Sequence, residues 1–492
     1  MLARRRIAVL AAAVLAFGGI GVGTVMAAAG APQPAPAVPP ASAPTAPPRA
    51  EPVYPAGESG TAEVRRWVEQ DRADAPPADS VLFIGSSSIR RWESLSRDFP
   101  EYDVVQRGWG GSVMQQILAE SPWLVRPLAP KAIVLRTGLN DLRSGRTAEQ
   151  LLTDVRSFVA QAREGRLDTE VLVLAIAPTP STLDAGDGIE QVRREANRLL
   201  AAEAAVDPSV HYVDIATPFE RLAASDRAAF DRLSIDGIHL TPAGYAAWVE
   251  VLRPALAAVL DPVEPSLPGV QGLRAGDRLL LDLGPDDGAA GVATGVDASG
   301  LHWNDWWPTK GGGRIVAGEH RSGLVAVDGR VTGVAMTVTG GFRANAAGEA
   351  GLLDPRPELL GDLAVPTATR DYWSSTADDL QGGDDDLPGG FVLEGLDTEL
   401  RYRLAFLGSA VGTAPAVAEY AVHGEERRAA QLRTSGERSG SHGADRNDDE
   451  VAVVDDVVPD ARGRIWVDVT LLTGSATHLN AVELSAAESP ER

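Results

Sequence analysis

The sequence predicts an α/β three-layer domain followed by an all-β sandwich, and three observations carry that reading. From about residue 78 to 260, short apolar runs of β-compatible residues alternate with helical patterns, as in a parallel sheet with helices on both faces. Beyond Asp261, short β runs separated by Gly, Asp and Asn replace the helical patterning. The length, 492 residues, exceeds what a single core fills.

In chain order, Arg4, Arg5 and Arg6 precede an apolar run from Ile7 to Val25, and Ala27, Ala28 and Ala29 follow. This is the layout of a secretory signal over residues 1–29, cleaved after Ala27 or Ala29. An uncleaved run would serve as a membrane anchor. Residues 30–57 are rich in Pro and Ala and read as an extended linker. The α/β domain is expected over 58–260. Its strands are Val81 to Ile84, Tyr102 to Gln106, Ala132 to Arg136, Val171 to Ile176 and His211 to Ile215. Helices are expected over Thr147 to Arg163, Ile189 to Ala205 and Pro242 to Leu260, the last with Thr241 as N-cap and Pro242 at its first position. Residues 261–269 (DPVEPSLPG) form a linker, 270–486 the β-sandwich, and 487–492 a tail.

Composition removes several function classes. There is no Cys, so disulfides, thiolate catalysis and Cys-ligated metals are excluded. A net charge of -23 argues against nucleic acid and anionic membrane surfaces as main partners. The seven histidines form no H-E-x-x-H pattern, which leaves little support for a zinc site.

Val81 to Trp92, VLFIGSSSIRRW, reads as strand, tight turn and helix, with Ser86, Ser87 and Ser88 at the helix start. Taken alone, the serines read as capping residues. Three distant stretches change the balance. RGWGGS follows the second strand and GLND follows the third. DGIH, with Asp236 and His239 three residues apart, precedes the last helix. All four fall at one edge of the sheet, the usual ligand edge of open α/β folds. A serine, an imidazole base, a carboxylate to orient it, and amide donors for an oxyanion are the parts of acyl transfer.

With these blocks, residues 78–260 resemble the GDSL, or SGNH, hydrolase family, and IRRW and REAN (Arg194 to Asn197) resemble a Gly-Ser-Ser-Ser subgroup of it. The resemblance implies a flavodoxin-like fold and esterase or lipase activity without a metal. Residue by residue, it implies Ser87 as nucleophile and Asp236 and His239 as acid and base. The oxyanion donors would be Gly111, Asn140 and the Ser87 N–H. Two positions depart from the family pattern: Ser86 stands where Asp is usual, and Gln106 where Asn commonly opens the second block.

The second part carries clustered aromatics, Trp303, Trp306 and Trp307 in HWNDWW and Tyr372 and Trp373 in TRDYW. Exposed rings of this kind stack on sugar faces, whereas buried ones would be core. Residues 270–486 also resemble, with less specificity, galactose-binding-like or malectin-like carbohydrate-binding modules of jelly-roll type. Asp282 and Glu483, on the first and last strands, are candidates for a structural calcium site, against the reading of solvated acidic turns. The resulting expectation is an exported esterase that takes short acyl groups off carbohydrate. The alternatives are a lysophospholipase or general short-chain esterase, and a glycan-binding adhesion protein with an incidental hydrolase domain.

Overall fold

The computed structural model describes residues 55, 61–77, 79–260, 272–284, 295–306, 313–345, 350–376, 388–412, 414–437 and 445–489. The expected leader, most of the linker after it, the 261–269 junction, Trp307 and the last residues of the tail lie outside the described residues.

Helix α1 (Ala62–Ala73) opens the α/β part, with the Thr61 hydroxyl accepting from Val64 N–H. Five parallel strands follow: β1 (Val81–Gly85), β2 (Val104–Gly108), β3 (Ala132–Arg136), β4 (Glu170–Leu174) and β5 (Val210–Val213). They lie in the order β2-β1-β3-β4-β5, which places the topological switch point between β1 and β3. β1 and β3 are buried along their whole length, as two-sided coverage requires. β2 begins two residues later than the apolar run suggested, because Tyr102 turns back to donate its N–H to the Phe99 carbonyl.

Ten further helices cover this sheet. After β1 come α2 (Ser87–Arg90) and α3 (Leu95–Asp98), and after β2 comes α4 (Met114–Leu124). α5 (Leu139–Arg143) and α6 (Ala148–Gly165) follow β3, and α7 (Pro180–Asp184) and α8 (Asp187–Ala204) follow β4. α9 (Ala216–Ser225), α10 (Arg227–Asp231) and α11 (Pro242–Val259) complete the part. Thr241 caps α11 as its sequence predicts, accepting from Gly244 N–H.

The C-terminal part contains β6 (Arg278–Asp282), β7 (Gly295–Val296), β8 (His302–Asp305), β9 (Arg314–Ile315), β10 (His320–Arg321), β11 (Ala335–Gly340), β12 (Phe342–Ala344) and β13 (Trp373–Ser374). These are followed by β14 (Gly389–Glu394), β15 (Leu400–Leu407), β16 (Ala416–His423), β17 (Arg427–Ser435), β18 (Ala452–Val457), β19 (Ile465–Thr473) and β20 (Ala481–Glu488). Two six-stranded sheets, β10-β11-β14-β19-β16-β17 and β18-β15-β20-β6-β8-β7, contribute to one buried cluster. Phe391, Val467 and Val469 come from the first, and Leu281, Leu404 and Phe406 from the second. The part is not purely β, because Pro357–Leu360 and Pro366–Thr369 are short helices, each with Pro at its start.

The two parts pack as one compact unit. Edge strand β2 and the turns beside it face the two-sheet region, which covers an edge that would otherwise expose unpaired backbone. Arg462 donates to the Pro100 carbonyl (2.6 Å) and pairs with Asp103 (2.9 Å), and Trp466 Nε1 donates to Ser96 Oγ (2.8 Å). Arg97 pairs with Asp468 of β19 at 3.0 Å.

Two expectations for this region are corrected. Trp303, Trp306 and Trp373 are 3%, 4% and 0% exposed, so their faces are not free to stack on sugars. The polar residues between them misled the sequence reading because distant backbone satisfies them. Asn304 donates to the Leu280 and Val325 carbonyls and accepts from Val325 N–H. Tyr372 is half-buried, with its ring edge-on to His478. The calcium site is not assembled either. Asp282 and Glu483 lie on paired strands, but Glu483 is bound by Arg278 and Ser485, and no cluster of metal-ligating side chains occurs among the described residues.

Candidate active site

Ser87 stands at the first position of α2, just past the carboxyl end of β1, and is 9% exposed. The serine triplet does not cap this helix through a side chain. Ser86 occupies the N-cap position without a side-chain hydrogen bond to the backbone. The Ser87 hydroxyl instead meets His239 Nε2 at 2.8 Å.

His239 lies in the turn before α11. On its other side Nδ1 meets Asp236 Oδ2 at 2.6 Å. The turn is held by its own backbone: Asp236 Oδ1 accepts from the N–H groups of Ile238 (2.9 Å) and His239 (2.8 Å). Ile235 N–H and the Ser234 hydroxyl both donate to the His239 carbonyl. Burial disfavours charge on Asp236, but the bonds from the imidazole and the two N–H groups outweigh it and hold the carboxyl well below its ordinary range. The Asp236 side chain is one-fifth exposed and the imidazole less.

The other two sequence blocks meet the same edge. Gly111 adopts φ +70°, and nothing lies within 4 Å of where a Cβ would project, so its backbone borders open space. Asn140, on α5 beyond β3, donates through Nδ2 to the Ser112 carbonyl at 3.0 Å. An amide nitrogen carries two hydrogens, so one donor remains. The arrangement thus places a hydroxyl, an imidazole and a carboxylate in line beside an open backbone turn, a geometry suited to nucleophilic attack on a carbonyl.

Four residues hold these elements in place, a role the sequence reading assigned to none of them, although Gln106 and Asn197 were among the residues it named. Asp141, fully buried, accepts from Met114 N–H at 2.9 Å and so ties α5 to the start of α4. Tyr245 donates its hydroxyl to the Ser88 carbonyl at 2.9 Å and holds α2. Gln106 sends its side-chain amide to the carbonyls of Ile89 (2.6 Å) and Trp92 (3.3 Å), occupying the acceptors at the end of α2. Asn197 of REAN bonds both backbone groups of Ile176, a supporting role.

Comparison with known proteins bears on the α/β part. No curated protein matches the chain. A GDSL-like lipase from Bacteroides thetaiotaomicron VPI-5482 is similar at 19% identity, covering 40% of this chain and 98% of its own, with a TM-score of 0.35. The lipase/acylhydrolase from Enterococcus faecalis is similar at 15% identity, covering 38% and 99%, with a TM-score of 0.31. A carbohydrate esterase family 3 protein from Talaromyces cellulolyticus is similar at 19% identity, covering 37% and 97%, with a TM-score of 0.30. Residues 79–247 match the GDSL-like lipase/acylhydrolase family as a whole. That span runs from just before β1 into the second turn of α11 and takes in every block quoted above, and residues 79–247 of this chain are a domain of the GDSL-like lipase/acylhydrolase family, hydrolases that act on esters.

Proposed function

We propose that the protein is an exported serine esterase that removes O-acetyl or other short acyl groups from a carbohydrate. The observation that carries the chemistry is the unbroken chain from Ser87 through His239 to Asp236. In this reading His239 Nε2 takes the hydroxyl proton as Ser87 Oγ bonds to the ester carbonyl carbon. Asp236 fixes the ring tautomer and stabilises the imidazolium. The resulting oxyanion accepts from the N–H groups of Ser87 and Gly111 and from Asn140 Nδ2. Collapse breaks the bond to the alcohol oxygen, which takes the proton from His239. Water, deprotonated by the same imidazole, then releases the acid and restores Ser87.

Export rests on the leader pattern of residues 1–29. The carbohydrate alcohol rests on the polar rim of the site. Exposed Arg143, one turn after Asn140, donates to Ser181 Oγ at 3.2 Å, and Ser181 N–H donates to the Gly237 carbonyl beside the catalytic turn. One observation favours a second reading, a longer-chain acyl ester such as a lysophospholipid. A groove of about 650 Å³ is lined by Leu142, Ile189 and Val192 together with Arg143, Arg146 and Glu195, room enough for an acyl chain. The test is acetate release from acetylated xylan beside fatty-acid release from lysophosphatidylcholine, each with wild type and Ser87→Ala. Acetate release that vanishes in Ser87→Ala is the expected result. Faster turnover of the lysophospholipid would replace the carbohydrate reading with the second one.

A further inference from the structure

The two-sheet region reaches into the α/β part at one place. The turn Val316–Glu319, between β9 and β10, is buried throughout. Val316 belongs to the apolar cluster of the α/β part, together with Trp67, Val105, Trp109 and Met114. Gly318 lies against strand β2: with φ +87°, a Cβ there would stand 2.3 Å from the Gln106 carbonyl oxygen, so only glycine permits this approach. The Gly318 carbonyl accepts from Arg107 Nη1 at 3.0 Å, and the same nitrogen donates to the Gln106 carbonyl.

Arg107 is the residue through which this contact reaches the site. Its Nη2 donates to Asp71 Oδ1 of α1 at 2.7 Å, and its guanidinium lies 5.3 Å from the centre of the Trp67 ring. Trp67 meets Trp109 edge-on at 6.4 Å. Trp109 is two residues before Gly111, and its N–H donates to the Gly85 carbonyl at 3.2 Å. The turn itself is held by its own sheet. Gly318 N–H donates to the Val338 carbonyl, Val338 N–H to the Glu319 carbonyl, and Val316 N–H to the Glu319 carboxyl.

We infer that the two-sheet region, through Val316 and the Gly318–Arg107 bond, positions the 108–112 loop and thereby sets the Gly111 N–H that receives the oxyanion. The inference rests on the catalytic reading above and changes what the second region is for. It becomes a brace for the reacting geometry as well as an appended module. Val316 and Arg107 are positioning residues, since neither reaches the reacting atoms.

The test uses the full chain, 4-nitrophenyl acetate, and the variants Val316→Ala, Arg107→Lys, Arg462→Ala and Ser87→Ala. Arg462 bonds Pro100 and Asp103 at the opposite end of β2, so its loss loosens the same seam away from the loop. Val316→Ala and Arg107→Lys are expected to lower kcat about tenfold to a hundredfold, the range for a displacement of up to about 1 Å. KM should stay within about twofold, and amide hydrogen exchange over 108–112 should quicken. Arg462→Ala is expected to lower the melting temperature while keeping kcat within about twofold. Unchanged kcat in both positioning variants, or an equal loss in Arg462→Ala, overturns the inference. Activity retained by Ser87→Ala overturns the catalytic reading instead, and the inference with it.

Discussion

Two polar regions border the parallel sheet, and they move their carboxyl groups in opposite directions. At the carboxyl end of β1, Asp236 receives hydrogen bonds from an imidazole and two backbone N–H groups, and these lower its pKa against the effect of burial. Along the seam beside β2, burial pushes Glu93 up to about 8, with Asp468 adding to the rise, and pushes Glu319 up to about 7. Glu319 has a single backbone donor, Val316, and an arginine, Arg66, at 3.9 Å. Depth and the number of donors aimed at the carboxylate together separate the two: Asp236 is partly exposed and holds three donors, whereas Glu319 is buried with fewer. One region keeps a charge ready for chemistry, and the other holds its carboxyls protonated near neutrality.

The largest effect that would break this comparison is on activity. Ser87→Ala is expected to cost at least about ten-thousandfold in kcat without changing the melting temperature, because the hydroxyl works in the reaction and little in the packing. Retained activity, followed by the same measurement on Ser86→Ala and Ser88→Ala, would move the nucleophile. Asn140→Ala is expected to lower kcat about a hundredfold to a thousandfold, the cost of one oxyanion donor. At the seam the response is in stability. Asp71→Ala leaves Arg107 buried without its carboxylate and is expected to cost about 3 kcal/mol in urea unfolding. A loss under about 0.5 kcal/mol would show that solvent reaches the pair.

The smallest effect is a pH signature. Glu93 has a folded pKa near 8 against an ordinary value of 4.5, so the folded state holds its proton longer than the unfolded state. Its contribution to stability is complete below about pH 4.5 and is lost as pH rises through about 8. Asp236 runs the other way: its contribution is present above the ordinary carboxylate range and is lost in strong acid. Glu93→Gln is therefore expected to match wild type in thermal melts at pH 4.5 and to exceed it by about 2 °C or more at pH 8.5. An equal difference at both values would remove Glu93 from the comparison.

Much of the site was legible in the sequence because its parts lie in local blocks. Strand, turn and serine form one block, Asp236 and His239 stand three residues apart, and Thr241 announces the helix after them. The parallel sheet was legible for the same reason, since each strand is a short apolar run. The seam was not, because its contacts join residues far apart in the chain. Arg107 and Gly318 are separated by 211 positions, and nothing near either one signals the other. The tryptophans of HWNDWW were misread on similar grounds. A run with Asn and Asp between rings looks solvent-facing until Leu280 and Val325 supply the partners of Asn304.

The covering of β2 also bears on how this enzyme tolerates being cut. Its α/β part holds Ser87, His239 and Asp236 together, which invites separating it from the β-rich remainder after Leu260. That cut would uncover Trp67 and Trp109 where Val316 was seated and leave Arg107 without the Gly318 carbonyl. The freed strand edge would then be a template for pairing with a second copy. Proteolytic loss of the C-terminal region is thus expected to lead to self-association, so that release from the chain silences the enzyme.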